Sequence, residues 1–386
     1  MKITYITNAI IPSEKAHSYQ IIKMCEAFAK NRMKIDLILP SFSLLNKTVI
    51  QTETIWQYYG IEDIFKIQKM PYLVWINSYY STRQFLRFLV QVFFFTIFFI
   101  FYSLVNKPEK YYVRDPFWTK YLNSLRFIHR GKIYYEGHKP QPQVVKLLSS
   151  GAIDGLIVNT NQLKNYYLTR GVHPKKIFVA GNGVDLKMFK NLAPKINLKN
   201  ELKIPLGKKM VCYTGHLYNW KGVKILALAM KDFKDDDVVC YFVGGLEKDI
   251  IRFKNFIKKN NIPNTTVVGH VSPVLIPKYQ IVSDVLVLPN LKGGESRFSS
   301  PMKLFEYMAS KRPIVAPDIP TIRELLNEKN SILVKPNNPE ALTKGIKLVL
   351  NDKKLSEKLS KNAYYTVKKY DWNNRAKNII KFIEDN

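Results

Sequence analysis

Short apolar runs alternate with longer amphipathic stretches along nearly the whole chain. The apolar runs fall at 3–7, 35–39, 111–114, 133–135, 156–158 and 177–180 in the first half. In the second half they fall at 210–213, 239–243, 266–268, 285–288, 314–316 and 332–334. Most are continuous, which is the pattern of parallel strands covered on both faces. Stretches of helical period, such as 18–29 and 340–350, separate them. Strand and helix alternate through two series, and this predicts an α/β protein with two doubly wound domains. A polar stretch at 190–203, containing Pro194, divides the series. The expected domains are therefore 1–190 and 191–369. The last segment, 370–386, carries an amphipathic helix with Ala376, Ile379, Ile380 and Ile383 on one face.

The segment 88–105 carries no charge and is dominated by Phe, Ile, Val and Leu. Its length is near the lower limit for crossing a bilayer. If it crossed, the strands on either side would face opposite compartments and could not share a sheet. The expected form is a helix packed on the first domain with part of its apolar face exposed, able to dip into an anionic leaflet. Full burial is the alternative.

Composition narrows the partners. The chain has 386 residues, 46% of them hydrophobic, enough for two cores. Its formal charge is +30 and its pI is near 9.8. Such a balance attracts anionic membranes, nucleic acid or phosphorylated substrates, and does not choose among them. No zinc-finger, helix-turn-helix or RNA-recognition pattern accompanies the charge, so nucleic acid is not an expected partner. Cys25, Cys212 and Cys240 are odd in number and far apart, which argues against a disulfide framework or a zinc site and fits a reducing cytosol. No secretory pattern precedes the first strand. A cytoplasmic protein at the inner face of the cell membrane is expected.

The densest chemistry lies in Ser299-Ser300-Pro301-Met302-Lys303-Leu304-Phe305-Glu306-Tyr307-Met308-Ala309, followed by Pro313-Ile314-Val315-Ala316. This reads as a loop, a helix opening with Pro301 at its first position, and a buried strand. The helix start offers backbone N–H groups and the positive end of a dipole to a phosphate. Ser299 and Ser300 would line that cradle with the backbone of Met302, Lys303 and Leu304; simple N-capping is the alternative. Glu306 lies about one and a half turns further on, where it could accept from sugar hydroxyls. Lys221 follows a strand and a loop and opens a helix, where it can meet a diphosphate as a point charge. His216 could donate to the same group. Asp235-Asp236-Asp237 sits among lysines before a strand and reads as a surface turn, so no metal site is expected.

These motifs, in their order, resemble the retaining glycosyltransferases of family four, the large class with the GT-B fold. The resemblance rests on Gly181-Asn182-Gly183-Val184-Asp185 with Phe189, on Tyr213-Thr214-Gly215-His216-Leu217 with Lys221-Gly222, and on Val243-Gly244-Gly245. It continues through Gly269-His270-Val271, Asp284-Val285-Leu286-Val287-Leu288-Pro289 and the stretch 299–309. Together they cover roughly Arg114 to Trp372. The resemblance implies two facing Rossmann-like domains, with the final helix crossing back to the first. It implies donor binding by the second domain, through Gly215, His216, His270 and 299–304, with Lys221 and Glu306 at the reacting end. His138, in Glu136-Gly137-His138, would contact the transferred sugar. The acceptor would meet Ser13, Glu14, His17, Arg114 and Glu136.

The chain departs from the family's pattern in three places. Phe298 stands where the first of two glutamates often lies, His216 replaces an arginine, and 12–18 replaces a glycine-rich loop. The implied activity is transfer of a hexosyl or related unit, with retention, from a UDP or GDP sugar to a lipid-linked or surface-glycan acceptor. It needs no cofactor besides that co-substrate and no metal. An epimerase or hydrolase of the same fold, a non-catalytic relative, and more remotely a nucleic-acid-binding protein are the competing readings.

Overall fold

The computed structural model describes residues 1–40, 54–70, 82–233 and 237–386. They form two compact units. Unit 1 comprises Met1–Val158, Lys164–Ala180 and Ala376–Asn386; unit 2 comprises Asn159–Leu163 and Gly181–Arg375.

Unit 1 is built on strands β1 (Lys2–Ile6), β2 (Lys34–Pro40), β3 (Lys66–Met70), β4 (Lys110–Val113), β5 (Lys132–Gly137), β6 (Gly155–Val158) and β7 (Ile177–Val179). They make a seven-stranded sheet in the order β3-β2-β1-β4-β5-β6-β7, and each pairing is parallel. Ile3, Tyr5, Ile6, Tyr111, Tyr112 and Val113 are all nearly inaccessible, as helices on both faces of a parallel sheet require. The apolar runs predict every strand of this sheet except β3. Its sequence, KIQKM, has no apolar run, because an edge strand pairs on one side only and tolerates lysine.

The long helix Thr82–Asn106 lies against this sheet by one face. Phe99, Tyr102 and Ser103 are buried, while Phe93, Phe94, Ile97, Phe101, Leu104 and Val105 are exposed, Phe101 to 67%. Tyr102 donates to Asp36 at 2.7 Å, and Lys2 pairs with the same carboxylate at 2.8 Å. The helix is thus half-embedded, as expected, rather than fully buried. No described helix is long and apolar enough to cross a membrane.

Unit 2 carries β8 (Lys209–Thr214), β9 (Val238–Val243), β10 (Thr265–Gly269), β11 (Val285–Val287), β12 (Ile314–Pro317) and β13 (Ile332–Val334). The sheet order is β10-β9-β8-β11-β12-β13. Side chains alternate across it. Met210 and Cys212 join the core that holds the helix Met302–Ala309; Val211 and Tyr213 join the core on the other face. The stretch 190–203 contains a short helix, Lys195–Glu201, whose Leu198 is buried in the first of these cores.

The final helix, Trp372–Glu384, begins in unit 2 and ends in unit 1. In unit 2, Arg375 donates to the carbonyl of Gly181 at 2.8 Å. In unit 1, Phe382 stacks on Phe178 at 5.4 Å and Tyr134 donates to the carbonyl of Ile383.

Candidate functional site

Ligands of open α/β sheets sit beyond the C-terminal strand ends, where the strand order reverses. In unit 2 that point lies between β8 and β11. The residues singled out in the second half gather there. After β8 the chain runs through Gly215 and His216 into a 3-10 turn, Asn219–Lys221. The rings of His216 and Tyr218 stack at 4.9 Å, and Trp220 continues the stack. Lys221 caps it, with Nζ 3.8 Å from the Trp220 ring centre. The backbone of Leu291, beyond β11, donates to the carbonyl of Trp220. His270 is exposed at the end of β10.

The helix Met302–Ala309 opens at the same end. Pro301 has extended backbone angles and is the N-cap rather than the first helical residue, and no side chain caps the helix. The serines therefore do not serve as N-caps. Ser300 instead accepts, through its carbonyl, from Asn182 Nδ2 at 2.5 Å. Buried Leu304, Phe305, Tyr307 and Met308 fix the helix to the sheet, each worth roughly 1.5–3 kcal/mol of burial.

Glu306 points back towards β8. Its carboxylate accepts from Gln280 at 3.1 Å, and Gln280 also meets Thr214 at 3.2 Å. Burial raises the Glu306 carboxyl above its ordinary value, opposed by the Gln280 bond and by Lys303. Lys303 reaches under the loop after β8, with Nζ 3.6 Å from the centre of the Tyr213 ring. That Nζ is buried and has no hydrogen-bond partner among the described residues. Burial lowers its pKa well below the usual lysine value, Lys221 adds to this, and Glu306 opposes it. Lys221, Lys303, Glu306 and an uncapped helix start thus share one end of one sheet. Such a group can neutralise a diphosphate and read a hydroxyl beside it.

In unit 1 the strand order reverses between β1 and β4, and a polar network lies beyond β1, β4 and β5. Glu136 is buried and accepts from Gln20 at 2.8 Å, Tyr112 at 2.6 Å and His138 at 2.9 Å. Gln20 in turn accepts from Arg114 at 2.6 Å. Asp115 accepts from Thr7 and from the backbone of Asn8. A carboxylate accepting from His138 Nε2 leaves the other ring nitrogen, in the neutral form, as an acceptor. Ser13 is buried and braces its own loop through Ser18 and Tyr59. Glu14 and His17 are half-buried on that loop and the helix it opens.

Gln20, Tyr112 and Gln280 join these networks without a motif in the sequence to mark them, while Asn182, part of the Gly181–Asp185 motif, braces the loop before the helix through Ser300. Gln20 and Gln280 each interrupt the apolar face of a helix, and that was the available signal. Asp235 and Asp236 lie outside the described residues. A cavity of about 690 Å³ opens at the N-terminal ends of the central strands of the unit 2 sheet, bordered by Lys209, Asp284, Arg312 and Tyr364, and none of the predicted donor residues lines it.

Fold and strand order define the class: two parallel Rossmann-like sheets, the GT-B fold. Solved structures agree. A glycosyltransferase from Rickettsia africae superposes with a TM-score of 0.75 over 99% of this chain and 98% of its own, at 17% identity. Anabaena HepE, solved with UDP and glucose, gives 0.74 over the full length of both chains at 16% identity. At the sequence level, residues 194–366 match the family of glycosyl transferases group 1. An uncharacterized glycosyltransferase of Methanocaldococcus jannaschii is 26% identical over 60% of this chain and 58% of its own. A Bacillus subtilis protein provisionally named the teichuronic acid biosynthesis glycosyltransferase TuaC is 24% identical over 50% and 47%. The chain spans about half the length of the curated relatives it matches.

Proposed function

We propose that the protein is a retaining glycosyltransferase that takes a hexosyl or related unit from a UDP or GDP sugar. The observation that carries this reading is the grouping of Lys221, Lys303, Glu306 and the uncapped start of Met302–Ala309 at the reversal point of the unit 2 sheet. The match to glycosyl transferases group 1 covers the same region, and a fold relative was solved with UDP and glucose.

In this reading the diphosphate lies at the helix start, with Gly215, His216 and His270 around the donor. Lys221 balances the charge that grows as the diphosphate leaves, and Glu306 accepts from the donor's hydroxyls. No metal is needed when cations of the chain do this work. His138, oriented by Glu136, contacts the transferred sugar, while Glu14, His17 and Arg114 meet the acceptor. The sugar leaves as a loose oxocarbenium-like ion, and the acceptor hydroxyl enters on the face the diphosphate vacates. A departing phosphate oxygen takes the hydroxyl proton. Positioning and electrostatic stabilisation supply the rate. The acceptor is a lipid-linked or surface glycan at the inner face of the membrane, and the exposed apolar face of Thr82–Asn106 supports that placement.

A panel of nucleotide sugars in thermal unfolding tests the reading, because a ligand of the folded state raises the midpoint. UDP or GDP sugars should raise it, less so in Lys221→Ala and Glu306→Ala. No response to any nucleotide sugar overturns the assignment. An isomerised or hydrolysed donor without acceptor replaces it with epimerase or hydrolase chemistry.

A further inference from the structure

Lys303 presents a problem that a structural role does not solve. Its Nζ is buried, lacks a hydrogen-bond partner among the described residues, and rests on the Tyr213 ring. Gly215 lies so close that a Cβ there would come within 2.8 Å of this atom. The titratable groups that bear on it are Tyr213 and Cys212 of β8, Lys221 of the turn after β8, and Glu306 of its own helix. Lys221 repels a second cation. Glu306 is itself driven towards its neutral form by burial and is already bonded to Gln280. An ammonium enclosed in this way gives up its hydration and regains only the face of the Tyr213 ring. A methionine of the same length would fill the space without that cost, yet the chain keeps an amine beside Lys221.

We propose that Lys303 is an uncharged amine while the donor site is empty and takes up one proton when a nucleoside diphosphate binds. The idea rests on the donor-site reading above and adds a coupling to it. The phosphate charge reverses the sign of the potential at Nζ, so the nitrogen lone pair accepts a proton from solvent. No other bond is made or broken. Between the two protonation ranges of Lys303, affinity falls about tenfold for each unit rise in pH. The cation then exists only when there is an anion for it to face.

The test is calorimetric titration of the intact protein with UDP and with GDP at one pH, in HEPES and in Tris. The proton taken up is drawn from the buffer, so the observed heats should differ by the difference between the ionisation enthalpies of Tris and HEPES, once per site. In Lys303→Met, and in Lys303→Gln as a second variant, the heat should be the same in both buffers and binding should weaken. Without ligand, Lys303→Met should unfold at a higher temperature than the wild type. Buffer-independent heat in the wild type overturns the coupling. So does an unchanged buffer dependence in Lys303→Met, which would move the proton to another group such as His216. Absence of binding by either nucleotide overturns the donor-site reading itself, and the coupling with it.

Discussion

Gly222 has no room for a side chain. Its φ is +72°, and a Cβ there would lie 1.8 Å from the carbonyl oxygen of Pro289. The close approach seats the start of the helix Val223–Ala229 against the end of β11, and so sets the position of Lys221. Gly222→Ala combines left-handed strain with a backbone clash. It should cost about 2–5 kcal/mol in urea denaturation. Glu306 gives a prediction with a sign. Burial raises its folded pKa, so the folded state holds this proton more tightly than the unfolded chain does. The resulting stability is present below the ordinary glutamate value and is lost as pH rises through the raised one. Glu306→Gln should remove that part of the pH dependence, read as a smaller loss of stability between pH 4 and pH 8. In unit 1, Glu136→Gln leaves three donors around a weaker acceptor. His138 then loses its orientation, and turnover should fall about 10–100-fold with binding of the free nucleoside diphosphate unchanged. An unchanged turnover would remove His138 from the mechanism.

At the scale of elements, the helix Thr82–Asn106 shows why an apolar run alone does not declare its role. One face carries Phe99 and Tyr102 into the core; the other leaves Phe93, Phe94, Ile97 and Phe101 in solvent. On a chain of charge +30, an exposed aromatic face suits an anionic leaflet. Phe101→Asp should weaken binding to anionic vesicles by about 10–100-fold, the equivalent of one lost aromatic burial. The fold should be unaffected, since Phe101 is exposed. Equal binding by the variant removes the membrane role.

Across the whole molecule, the chain returns at its end to the unit in which it began. Phe382 stacks on Phe178 and meets Tyr134 edge-on at 6.3 Å, so the second half of the helix Trp372–Glu384 completes unit 1. Phe382→Ala should lower the stability of unit 1 by about 3 kcal/mol, moving its urea transition while that of unit 2 stays in place.

Sequence alone determined the class of fold. A parallel strand must be apolar on both faces, so a short continuous run declares it, and β1, β8, β11 and β12 stand out in this way. Helix starts, glycines before loops and the order of motifs are likewise local properties. They marked Lys221 and Glu306 before any coordinate. The edge strand β3 escaped because it exposes Lys66 and Lys69 and so carries no such run. What only the tertiary structure decided is how polar groups distant in the chain share one another. Gln20, Tyr112 and His138 meet on a single buried carboxylate, and Gln280 bridges Thr214 and Glu306. The enclosure of the Lys303 amine belongs here too. Desolvation and hydrogen bonding depend on what folding brings alongside a group, and the linear chain does not carry that.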